Sequence, residues 1–210
     1  MTVFTSTLRT ALWCLCTLLM AGAVLAQTMA SQESSAPEPS QALGTGAVAG
    51  ALRSGGYVVY FRHTATDFSK NDADMKGYAD CANPRLLSPQ GRSEARDIGR
   101  SIARLKLPVG EVFASPLCRT MDTARLMLGR ATPRADMRES DGADYPGLKQ
   151  LLAAPVAAGS NRWLIGHGNP FRAVAGAPHL AEGEAAVIRP GGTVWTVVAR
   201  VMPTDWAQLK

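Results

Sequence analysis

Two histidines and two arginines stand where a reacting group could be assembled. Arg62 and His63 follow directly on the apolar run 57–61 (YVVYF). Arg119 closes the stretch Ser115-Pro116-Leu117-Cys118, and His167 lies between Gly166 and Gly168 after Trp163-Leu164-Ile165. Transfer of a phosphoryl group calls for this set. A neutral imidazole can attack phosphorus in line while negative charge spreads over the non-bridging oxygens. Guanidinium forks match those oxygens bidentately, and a second imidazole can donate a further hydrogen bond. Arginine charge near the attacking ring also disfavours its protonation and keeps its lone pair available. The arrangement requires no metal or other cofactor.

The elements around these residues are those of an α/β fold. The run 57–61 is short, nearly continuously apolar and rich in β-favouring side chains, the pattern of a buried parallel strand. Glu111 to Ala114 and Trp163 to Ile165 read as further strands, and the chain closes with two more, 185–188 and 193–201, joined by Pro190-Gly191-Gly192. Helices are expected over 47–53, from Ser88 as N-cap with Pro89 at the first helical position through Leu105, from Ser115-Pro116 through Leu128, over 148–153, and from Asn169-Pro170 onward. This alternation predicts a three-layer sandwich with a mostly parallel central sheet. Sites in such sheets form beyond the carboxyl ends of the strands, and Arg62-His63, 115–119 and Gly166-His167 all fall there.

These segments resemble the signature of the histidine phosphatase superfamily, the phosphoglycerate-mutase-like fold. The likeness rests on 57–64 (YVVYFRHT), 115–124 (SPLCRTMDTA), 164–170 (LIGHGNP) and the helix 87–105 (LSPQGRSEARDIGRSIARL), four segments in the family's order. The resemblance implies that His63 accepts the phosphoryl group and that Arg62, Arg119 and His167 bind it. Thr64 stands where the family usually has glycine, and Asn169-Pro170 where a second glycine is common. The proton donor follows the pattern less closely. Glu139, in Met137-Arg138-Glu139, fits the family's "L-R-E" context, but Ser140-Asp141-Gly142 departs from what usually follows, so Asp136, Asp141, Glu182 and Glu184 remain alternatives.

The 210 residues carry 46% hydrophobic and 19% charged side chains and a net charge of +5, enough apolar material for one sizeable core. The positive charges alternate with acids instead of gathering into a run, which argues against nucleic acid as a partner. Residues 1–26 read as a signal peptide: one positive charge at Arg9, an apolar stretch shorter than a bilayer span, then Val24-Leu25-Ala26 before Gln27. Residues 27–44 read as a disordered linker rich in Ser, Pro and Gln, and 45–210 as the phosphatase-like domain. A periplasmic or secreted protein without a stable membrane span is the expectation.

Export leaves Cys81 and Cys118, which in an oxidising compartment read as a disulfide, with two buried free thiols as the alternative. Lys70, Lys76 and Arg85 in the long stretch 65–87 could meet further anionic groups, though a solvated loop also explains them. His179 matches no motif and reads as an exposed loop residue. Ser115 lacks the G-x-S-x-G elbow of a serine hydrolase.

The expected function is therefore an exported phosphomonoester hydrolase acting on a small phosphorylated substrate. Exported members of the family that act on heptose phosphates make a sugar phosphate one option. Two readings stand beside it: a catalytically silent module that binds an anionic ligand at the cell envelope, and a phosphatase of phosphohistidine on proteins.

Overall fold

The computed structural model describes residues 42–78, 80–139 and 144–210. The expected signal peptide, most of the expected linker, and Asp141 lie outside them. Six strands form one sheet in the order β3-β2-β4-β1-β5-β6. The elements are α1 (Thr45–Ser54), β1 (Val58–Arg62), α2 (Pro89–Arg104), β2 (Val112–Ala114), α3 (Cys118–Leu128), β3 (Thr132–Pro133), α4 (Pro146–Ala153), β4 (Arg162–Gly166), α5 (Gly168–Ala175), β5 (Ala185–Pro190) and β6 (Trp195–Val201). Strands β1, β2, β3 and β4 run parallel, while β5 and β6 add an antiparallel edge beside β1.

The period of two along β1 divides the core. Val59 and Phe61 face one layer, with Trp163 and Ile165 of β4 and with α1, α2, α3 and Trp206. Val58 and Tyr60 face the other, with Leu164, α4 and Phe171 of α5. Burial on both faces explains why β1 and β4 read as unbroken apolar runs. The result is the three-layer α/β sandwich that the alternation predicts.

Two local features fix the elements that matter for the site. Ser88 Oγ accepts the Gly91 N–H at 3.0 Å, capping α2 as its sequence requires. Gly91 then packs so closely on the 65–87 segment that a Cβ there would lie 1.9 Å from the Ala65 carbonyl oxygen. This contact anchors the start of α2 beside the end of β1. Strand β3 has no counterpart among the expected elements: it is two exposed residues, one a proline, and carries no apolar pattern.

Candidate active site

His63 leaves the carboxyl end of β1 and is 2% exposed. Its backbone N–H donates to the Gly166 carbonyl at 3.0 Å, which ties the end of β1 to the end of β4. The ring Nδ1 lies 3.0 Å from the Thr64 carbonyl oxygen. A carbonyl can only accept, so Nδ1 carries the proton and Nε2 keeps its lone pair. Burial, reinforced by the charges of Arg119, Arg62 and Arg85, lowers the His63 pKa to about 3 against the opposing hydrogen bond to the Thr64 carbonyl. The ring is a neutral base with its free lone pair on Nε2.

His167, 1% exposed, stands edge-on to His63 with ring centroids 5.6 Å apart. Tyr60 clamps its backbone from both sides, the hydroxyl donating to the His167 carbonyl at 2.9 Å and accepting its N–H at 3.0 Å. Burial raises the Tyr60 pKa and keeps the clamp protonated. A Cβ on residue 166 would lie 2.1 Å from that hydroxyl, so Gly166 is a steric requirement of the clamp. The His167 Nε2 lies 2.8 Å from Ser115 Oγ, which leaves Nδ1 for another partner. Burial, then the neighbouring His63 and the three arginines, holds the His167 pKa well below its ordinary value.

The guanidinium groups are held by their outer nitrogens. Arg62 donates from NH1 to the Leu180 carbonyl at 2.9 Å and from NH2 to Glu182 Oε1 at 3.4 Å. Arg119, 2% exposed, gives NH1 to both carboxylate oxygens of Asp72, at 3.0 and 2.9 Å. Asp72 Oδ1 also accepts the Arg85 backbone N–H at 3.0 Å, and the Arg85 guanidinium lies 4.6 Å over the Phe68 ring. Burial lowers the Arg119 pKa and Asp72 offsets the effect, with Glu139 acting in the same direction as Asp72.

This bonding leaves a pattern. Among the described residues, five buried side-chain nitrogens have no hydrogen-bond partner in the protein, and four of them are Arg62 Nε, Arg85 Nε, Arg119 Nε and His167 Nδ1. Buried donors are seldom left unmade, because each costs about 1–3 kcal/mol. Three of the four belong to guanidiniums whose charges bear on both His63 and His167, and the fourth to His167 itself, a grouping suited to an anion. A surface groove of about 570 Å³ lies elsewhere, against α2 and the C-terminal turn at Trp206.

The structure brings Arg62, His63, Arg119 and His167 together as expected and adds Arg85. In sequence Arg85 was one of three cations in a long loop. Its signal was the position just before the capped start of α2, which returns the loop to β1. Ser115 belongs to the site as the partner of the His167 ring. Thr64 is accommodated by Thr123, whose hydroxyl accepts the Thr64 N–H at 3.3 Å and donates to the Arg119 carbonyl at 2.8 Å.

Of the carboxylate alternatives, Asp136 is paired with Arg134 at 2.6 Å, and Glu184 with Arg200 at 2.6 Å. Glu182 lies behind the His63 ring, 3.9 Å from Nδ1 and not on the Nε2 side. Glu139 is exposed and close enough to Arg119 and Tyr60 for its charge to raise the pKa of both. His179 is half-buried, not exposed as expected: its Nε2 meets Asn169 Oδ1 at 2.9 Å, and its ring lies over Gly168. Cys81 and Cys118 form the disulfide, with Cα atoms 5.7 Å apart, and so fasten the 65–87 segment to the residue before Arg119.

A parallel-sheet fold with two buried neutral histidines and three guanidiniums at its strand ends defines a phosphate-handling class of protein. Residues 58–200 match the family model of the histidine phosphatase superfamily, branch 1, and the chain belongs to that family. Its activity is accordingly that of a phosphatase. Among solved structures it is similar to a phosphohistidine phosphatase SixA of Agrobacterium tumefaciens, with 16% identity, a TM-score of 0.52 and coverage of 70% of this chain and 99% of that one. It is also similar to a phosphoserine phosphatase of Entamoeba histolytica in complex with phosphoserine, at 12% identity and TM-score 0.51, covering 71% and 98%. These likenesses concern the fold. No curated protein sequence matches the chain.

Proposed function

We propose that the protein is an exported phosphomonoester hydrolase that works through a phosphohistidine intermediate on His63. The carrying observation is the group of three buried, unpartnered guanidinium N–H donors and the unpartnered His167 Nδ1 next to a histidine whose proton lies on Nδ1. Such donors are positioned for charge that develops on a transferring phosphoryl group, and they need no reorganisation at the moment of reaction. Nε2 attacks phosphorus while Arg62, Arg85, Arg119 and His167 hold the non-bridging oxygens. Glu139 protonates the leaving oxygen and then takes a proton from the water that releases phosphate. The exposure of Glu139 and its electrostatic reach to Arg119 support this role. Export rests on the sequence of residues 1–26 and on the cysteine pair.

The test is hydrolysis of p-nitrophenyl phosphate by the chain from Gln27 onward, with and without EDTA, beside His63→Ala. Activity should survive the chelator and fall below about one thousandth in the variant. Loss of activity in EDTA, or an active His63→Ala, overturns the mechanism. The SixA structure carries the name of a phosphatase of phosphohistidine, whose leaving imidazole needs little acid assistance. Glu139→Gln separates the two substrates. A monoesterase with Glu139 as its acid loses about 10²-fold or more in kcat on esters with poor leaving groups. A phosphohistidine phosphatase keeps its rate on phosphohistidine peptides.

A further inference from the structure

Phosphorylation changes the charge of a buried ring, and this inference rests on the phosphohistidine reading given above. In the resting protein His63 is neutral, with Nδ1–H on the Thr64 carbonyl. When the bond from Nε2 to phosphorus forms and the bond to the leaving oxygen breaks, the ring keeps its Nδ1 proton and becomes a phosphoimidazolium. The leaving oxygen takes its proton from the general acid. In the second step a water oxygen bonds to phosphorus, the bond to Nε2 breaks, and the ring returns to neutrality as the carboxylate recovers a proton. A cation therefore appears on a ring that burial and three guanidiniums all disfavour charging. Something must offset it.

The carboxylate in place to do so is Glu182. Its Oε1 lies 3.9 Å from His63 Nδ1, and its side chain is 16% exposed. Three donors fix it: the Thr66 hydroxyl on Oε1 at 2.7 Å, the Thr66 backbone N–H on Oε2 at 3.0 Å, and Arg62 NH2 on Oε1 at 3.4 Å. The following residue strengthens the hold, since the Gly183 N–H donates to the His63 carbonyl at 2.8 Å. Of the other carboxylates nearby, Asp72 is engaged by Arg119, and Glu94 Oε2 accepts the Ala65 N–H at 3.3 Å. Neither meets the His63 ring. Because Nδ1 and Nε2 lie on opposite sides of the imidazole, Glu182 is out of reach of a leaving group in line with Nε2. It cannot be the general acid, but it can stabilise charge on the ring.

We propose that Glu182 is a positioning residue that stabilises the imidazolium of phosphorylated His63 from the Nδ1 side and so sets the rate at which the phosphoenzyme forms. The logic is that of a carboxylate behind a catalytic imidazole, which orients the ring and stabilises its charged form without accepting the proton. The Arg62 contact makes the device double, since one carboxylate holds both the nucleophile and a phosphate-binding fork.

The experiment compares the wild-type chain from Gln27 with Glu182→Gln and Thr66→Val. It follows single-turnover release of nitrophenolate from p-nitrophenyl phosphate with enzyme in excess, alongside steady-state kcat and KM. Phosphohistidine is detected by acid lability and phosphorus NMR. Glu182→Gln, close to isosteric but uncharged, should slow the single turnover and kcat about 10- to 100-fold, with KM changed less than about threefold. Thr66→Val keeps the charge but removes its hydroxyl anchor and should slow the same step about 3- to 10-fold. It decides the matter if Glu182→Gln does not fold. Wild-type rates in the folded variants, or a loss confined to KM, overturn the proposal and leave phosphohistidine catalysis standing. Absence of phosphohistidine in the wild type overturns both.

Discussion

At the scale of single residues, the chemistry depends on histidines kept neutral by burial, and this has a consequence for stability. A histidine whose folded pKa lies below its unfolded value of about 6.5 binds its proton more readily once unfolded. Stability is therefore full above pH 6.5 and falls as the pH drops toward the folded value, about 3 for His63. His167 shifts in the same direction. The His63 ring should cost about 1 kcal/mol of unfolding free energy per pH unit in this window. Urea unfolding at pH 7.5 and pH 5 should show a large decline that shrinks by roughly 1–2 kcal/mol in His63→Gln; an unchanged decline would show that the ring titrates normally. Arg85 carries a second expectation. Its unpartnered Nε belongs to the grouping suited to an anion, so Arg85→Ala should reduce kcat/KM on p-nitrophenyl phosphate about 10²-fold, as removal of an oxyanion donor does. A surface cation of the same loop, Lys76, should change it less than about twofold when replaced by alanine.

At the scale of elements, the segment between β1 and α2 does most of the assembling. It delivers Asp72 to Arg119, brings Arg85 to the histidines, and is closed by the Cys81–Cys118 bond across 37 residues. The loop-entropy model gives such a closure roughly 3–4 kcal/mol. The double variant Cys81→Ser, Cys118→Ser should lose about that much stability by urea unfolding and at least tenfold in kcat/KM, since Arg119 follows Cys118 directly. Unchanged kinetics would show that hydrogen bonds alone hold the loop. How legible this was differs by element. Strands β1 and β4 were plain in sequence because burial on both faces leaves unbroken apolar runs, and α2 because Ser88-Pro89 is a start signal that local chemistry enforces. The loop was legible as a long irregular stretch fastened by an expected Cys81–Cys118 disulfide, but its fold was not. Asp80 orders it locally, through the N–H groups of Lys76, Ala82 and Asn83, whereas Asp72 joins it to Arg119, 47 residues away, a contact that no local pattern announces. Likewise Glu182 looked like one carboxylate among several until the fold placed it behind His63.

At the scale of the whole molecule, the sheet gathers three strand ends into one site, and the four unpartnered nitrogens there bear on the stability of the entire chain. No protein group meets these nitrogens, so a ligand that binds them in the folded state contributes folding free energy. Inorganic phosphate, the product, should raise the melting temperature with the logarithm of its concentration above the dissociation constant, by an amount corresponding to about 2.7 kcal/mol at a hundred times that constant. Chloride at the same ionic strength should not. A melting temperature indifferent to phosphate would mean that this grouping is no binding site. The same linkage couples durability to turnover: any change that tightens the grip on phosphate makes the loaded protein harder to unfold and its product slower to leave. Selection on this chain therefore acts on one quantity, the affinity for phosphate, when it tunes either resilience or speed.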